Sequence, residues 1–278
     1  MANPAFRNSP AFNPSSVSAG TVLNGAPVAA QTAVTAEQLQ TQYGMPPATP
    51  DQMDRMSYED TIAKAFGAFA ILAVGAVIGW FVPVLWIPAA LVGFVLAMVN
   101  IFKKQPSAAL VLAYAAVEGV FVGGISAFYA SMWDGIVPMA LLGTLGVVGV
   151  VLALFTSGKV RASKKATKVF LVLLVGYAAF SLVNLVLMLT GVTTSMYGWR
   201  GDLVIPIFGG IPLGIPLGIL AVLLGAYSLV MDFEQIKAGV EKGLPRKYGW
   251  TGAFGLVLTV VWLYLEILRL LSFFLPRN

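Results

Sequence analysis

The chain has 278 residues, 58% of them hydrophobic and only 10% charged, with a net charge of +5 and a mean hydropathy of +0.85. Soluble domains carry roughly 25% charged residues, so a water-soluble fold of this size could not hide so much apolar surface, whereas lipid lets helices face hydrocarbon. Cysteine and histidine are both absent. Disulfides, thiolate chemistry, the usual zinc ligands and the usual general base are therefore excluded.

Residues 1–55 are rich in Ala, Pro, Ser, Thr, Asn and Gln and read as a disordered cytoplasmic tail, leaving 56–278 as the membrane domain. The basic start and apolar core of a signal peptide are missing. Ser57 and Asp60 have the spacing of a capping box at the entrance to the first helix. A span needs about 20 residues to cross about 30 Å of hydrocarbon. Apolar runs of that order predict helices over 62–81, 84–102, 108–129, 136–156, 168–190, 204–236 and 250–275. The expected fold class is thus an all-α integral membrane protein with about seven transmembrane helices. Gly119, Gly123 and Gly124 in the third helix and Gly143, Gly146 and Gly149 in the fourth are read as helix-packing positions. The sixth segment is overlong and begins IPIFGGIPLGIPLG. Its prolines predict a broken first half, with regular helix from about Pro216 to about Val240.

The bases alternate. Lys103 and Lys104 follow the second helix. Lys159, Arg161, Lys164, Lys165 and Lys168 follow the fourth, and Lys237, Lys242, Arg246 and Lys247 follow the sixth. Arg55 and Lys64 flank the first helix, while the opposite side has only Arg200 and Arg277. This bias predicts a multi-pass protein of the cell membrane with a cytoplasmic N-terminus and an outside C-terminus, and it explains the net charge without a nucleic-acid partner. Trp80, Trp86, Trp133, Trp199 and Trp250 fit interfacial belts.

Three acidic residues fall within the spans: Glu118, Asp232 and Glu266. A carboxylate in lipid is costly unless paired, neutralised or hydrated, so all three are candidates for an ion pathway or pH sensor. The sixth and seventh helices are consecutive and antiparallel, which lets Asp232 and Glu266 face each other. Such a pair would share a proton, or hold a hard cation such as Ca²⁺, for which oxygen ligands suffice. The bland alternative is structural. Arg269 lies three residues after Glu266, close enough for a salt bridge within one helix, and Glu118 would then be protonated and bonded to Tyr or Ser. Asn184 and Ser181 in the fifth helix would line a polar path or glue helices. No phosphate loop, nucleophile elbow or metalloprotease motif is present, so no enzyme and no cofactor are expected.

The stretches SLVMDFEQI, LYLEILRLL and EGVFVGGIS resemble the Bax inhibitor-1 family over roughly residues 60–275. The resemblance implies a bundle packed around the seventh helix and a pH-sensitive Ca²⁺ leak. Asp232 falls on the family's sixth-helix Asp, Glu266 on its seventh-helix Asp and Arg269 where an Asn is common. The expected partners are the lipid bilayer and Ca²⁺ or H⁺, with protein partners undefined. The competing expectation is a non-transporting scaffold that binds a partner protein, with the acids acting as packing locks.

Overall fold

The computed structural model describes residues 54–193, 195–206 and 210–276. The expected disordered tail lies outside them, except for Asp54 and Arg55. Among the described residues there are seven helices long and apolar enough to cross a membrane. They are built on α1 (Tyr58–Phe81), α2 (Trp86–Phe102), α3 (Ala108–Ala130), α4 (Ile136–Thr156), α5 (Lys164–Leu189), α6 (Gly214–Glu241) and α7 (Gly249–Leu271), the second and seventh spans also taking in the turns at Pro83–Leu85 and Arg246–Tyr248.

The ends of the helices follow local chemistry. Ser57 caps α1, its hydroxyl accepting from the Asp60 amide at 3.2 Å, as the capping spacing predicts. Ser163 does the same for α5 through the Ala166 amide. That cap starts α5 at Lys164, four residues before the position expected from hydropathy, so Lys164, Lys165 and Lys168 lie in its first turns rather than in a loop. The sixth segment is broken as predicted. Val204–Ile205 and Ile211–Pro212 form a small antiparallel ribbon, and regular helix begins at Gly214. Pro216 is then the third residue of α6, where the missing N–H has no helical acceptor to lose.

The bundle is organised on α7. Its membrane window is 56% buried, against 17–44% for the other six, and it packs on α1, α3, α4 and α6. The closest approach is between α1 and α3. A Cβ on Gly119 would run into the Leu72 carbonyl, one on Gly123 into the Ala76 carbonyl and one on Gly79 into the Val120 carbonyl, so the backbones touch through small residues as the sequence suggests. In α4 the expectation holds only for Gly143, which lies against Ile267. Gly146 and Gly149 face open space, because α4 is an outer helix and turns that stripe away from its neighbours.

One end of the bundle is tied together by charged loops. Asp60 accepts from Arg246 Nε at 2.8 Å and pairs with Lys64, whose Nζ donates to the Arg246 carbonyl at 2.7 Å. The Met56 amide donates to the Leu244 carbonyl at 2.6 Å, and Lys247 Nζ reaches Gln105 at 3.2 Å. The start of α1, the α2–α3 loop and the α6–α7 loop therefore meet at this basic end. The other end carries the α5–α6 connection, with a single helical turn at Trp199–Asp202.

Candidate functional site

Asp232 and Glu266 stand at different levels of the α6–α7 hairpin. Gly218 lies against Leu270, Gly225 against Leu263 and Gly252 against Ile236. These contacts fix an antiparallel register in which Glu266 faces the level of Val222, ten residues before Asp232. That offset is about 15 Å of helix rise. Thus α6 does extend past its apolar run, to Glu241, but the register still keeps the carboxylates apart. The expected pair, and with it a Ca²⁺ site made by both, is replaced by two separate positions. Among the described residues no three acidic side chains gather at a point.

Asp232 is fully buried between α6 and α7. Thr259 Oγ1 donates to its Oδ2 at 2.6 Å, and Ser228 Oγ lies 3.3 Å from the same threonine hydroxyl. Glu118 is half-buried on α3. Its Oε2 occupies the space that a side chain on Gly93 of α2 would need, and among the described residues neither a Tyr nor a Ser hydrogen-bonds to it.

Glu266 is 4% exposed and sits at the centre of a polar cluster. Its Oε1 accepts from the Tyr177 hydroxyl at 2.5 Å and from Arg269 Nη1 at 2.8 Å. The predicted bridge within α7 is therefore present. Its Oε2 lies 3.7 Å from Arg200 Nη1 and has no hydrogen-bond partner among the described residues. Arg200, 5% exposed, also donates to Tyr177 at 3.0 Å and to Ser181 at 2.6 Å. Its guanidinium lies against the Tyr177 ring, 5.0 Å from the centroid, a cation–π contact that offsets part of the desolvation.

Arg200, by sequence an ordinary charge on the far side, is the functional residue that sequence reasoning misses. Local backbone chemistry explains how it reaches the interior. Gly198 adopts a positive φ of 56°, and any side chain there would collide with Asn184. Asn184 Oδ1 accepts from the Trp199 amide at 2.8 Å, and its Nδ2 donates to the Tyr197 carbonyl at 3.1 Å. Asn184 thus clamps the loop rather than lining a path, while Ser181 meets Arg200 directly. The Tyr197 hydroxyl donates to Ser272 Oγ at 2.6 Å, beyond the end of α7. Burial pushes that phenol above its usual range, keeping it a neutral donor.

The cluster opens into a cleft of about 570 Å³ at the end opposite the basic loops. Tyr177, Arg200, Glu266 and Arg269 supply its polar floor, and Trp86, Phe128, Leu185, Met188 and Trp262 are among its apolar walls. Trp86 is therefore a cleft residue, and Trp133, 4% exposed and stacked on Tyr129, belongs to the core.

A family model described as Bax inhibitor 1 like matches residues 3–275. The match reaches well into the N-terminal segment, beyond the roughly 60–275 expected from the short motifs. No curated protein matches the chain.

Proposed function

The chain belongs to the Bax inhibitor 1 like family, and from that premise we propose that it is a pH-sensitive cation leak of the cell membrane, with Ca²⁺ as cargo. The observation that carries this reading is Glu266: a buried carboxylate at the floor of an open cleft, held by a guanidinium from its own helix and another from a loop. Ionised, Glu266 anchors Arg200 and so keeps the α5–α6 connection docked. A proton on Glu266 removes the charge that holds Arg200 and frees the connection to leave. Asp232, with Thr259 and Ser228 beside it, is then a second oxygen-lined station deeper in the bundle. Oxygen donors of this kind suit a hard cation, and the chain has no thiolate or imidazole ligands. The basic end, by its Lys and Arg content, faces the cytoplasm, and the cleft faces outward.

Reconstitution into liposomes loaded with a Ca²⁺ dye tests this. Acidification is expected to raise flux, Asp232→Asn to lower it, and Glu266→Gln to leave flux high and insensitive to pH. Absence of flux, or no effect of either substitution on it, refutes the proposal. The scaffold reading is favoured by one observation, the complete Glu266–Arg269 bridge inside α7. It expects those substitutions to lower thermal stability while altering no flux.

A further inference from the structure

The Glu266 cleft has a property that the leak does not use. Glu266 lines the cleft, and its buried Oε2 has the Arg200 guanidinium 3.7 Å away but no hydrogen-bond partner among the described residues. An ion pair at that distance leaves the oxygen's hydrogen-bonding capacity unfilled, and a buried carboxylate oxygen without a hydrogen bond calls for a donor. The fixed charges at the floor are Arg200, Arg269 and Glu266, which sum to +1 and call for one negative charge. Arg269 is the accessible cation, with its side chain 31% exposed, whereas Arg200 is 6% exposed. The position is also specific. Arg269 lies two residues from the end of α7, within about 3 Å of rise, so the accessible cation stands at the helix end opposite the basic loops. The walls are apolar and aromatic, suited to acyl chain and glycerol backbone.

The geometry points to a binding site for an anionic glycerophospholipid whose headgroup carries a hydroxyl, of the phosphatidylglycerol type. Its phosphodiester neutralises the excess guanidinium charge at Arg269, and a headgroup hydroxyl donates to Glu266 Oε2. A zwitterionic lipid leaves the floor at +1. A choline headgroup has no donor for Glu266 Oε2, and a free phosphate leaves the apolar walls uncovered.

The test is direct, because Trp86 and Trp262 border the cleft. The full-length protein, stripped of lipid in detergent, is titrated with brominated phosphatidylglycerol, phosphatidylethanolamine and phosphatidylcholine, and tryptophan quenching is read. Phosphatidylglycerol is expected to saturate at roughly tenfold lower concentration than either of the others, because it alone brings the net negative charge that neutralises the floor. Arg269→Gln is expected to erase that preference, and unlabelled phosphatidylglycerol, but not inorganic phosphate, to displace the quencher. Equal affinity for the three lipids, or displacement by inorganic phosphate at similar concentration, overturns the proposal. Should Arg269→Gln fail to fold, the wild-type lipid ranking and the phosphate competition still decide it. The readout is binding, so the outcome is independent of whether the protein conducts cations.

Discussion

Replacing Glu266 with Gln keeps the shape of the side chain and one acceptor oxygen but removes the charge between Arg200 and Arg269. Removing one partner of a buried ion pair costs about 3–5 kcal/mol, because the remaining charge is left uncompensated. Arg269 is partly exposed and water takes up some of its loss, which puts the effect at the lower end, about 3 kcal/mol. Arg200 has no such relief at 5% exposure, so the cost is met by undocking its loop. A change of that size shifts the docked–undocked equilibrium roughly a hundredfold. Hydrogen–deuterium exchange reads it at the amides that hold the turn: Trp199 to Asn184 Oδ1, Arg200 to the Tyr197 carbonyl and Leu203 to the Trp199 carbonyl. Exchange there is expected to accelerate by about that factor in Glu266→Gln, with the α1–α3 contact unaffected. The double variant with Arg200→Gln is expected to recover about 2 kcal/mol as coupling, since neither charge then waits for the other. Unchanged exchange across residues 195–205, together with zero coupling, would show that the Arg200–Glu266 contact does not hold the loop.

Three further outcomes are expected. Thr259→Val removes the hydroxyl that donates to buried Asp232 and should cost about 1–3 kcal/mol in chemical or thermal unfolding; an unchanged midpoint would mean that Asp232 is satisfied without it. Gly123→Leu places a side chain against the Ala76 backbone, where no rotamer can relieve the clash. It should cost at least about 1–3 kcal/mol of overpacking, visible as a lowered melting temperature or loss of the monodisperse detergent peak. Asp60→Asn weakens the tie between α1 and the Arg246 loop; because Arg246 is half exposed, the loss should shrink in high salt, and a salt-independent effect would count against an electrostatic tie.

The separation of Asp232 and Glu266 is already present in the sequence. The α6–α7 turn is short, from Lys242 to Tyr248. Residues that meet across such a hairpin stand about equally far from its centre. Asp232 lies 13 residues before Pro245 and Glu266 lies 21 after it, so counting from the turn already separates the two carboxylates. Consecutive antiparallel helices guarantee only that their faces meet, not that two chosen residues share a level.

The number of helices, their approximate ends and the collection of bases at one end follow from the sequence. Each depends on a quantity that adds along the chain: apolar length against bilayer thickness, and loop charge. The broken start of α6 follows as well, since proline acts on its own backbone. The three candidate acids were legible because a carboxylate in an apolar run is anomalous wherever it ends up. Their partners were not. Arg200 is one polar residue in a polar loop, and nothing periodic marks it. Its burial depends on a positive-φ glycine meeting Asn184 from another helix, and on α7 bringing Glu266 beneath it. Those are contacts between segments distant in the chain, set by how seven helices pack, and only the tertiary structure decides them.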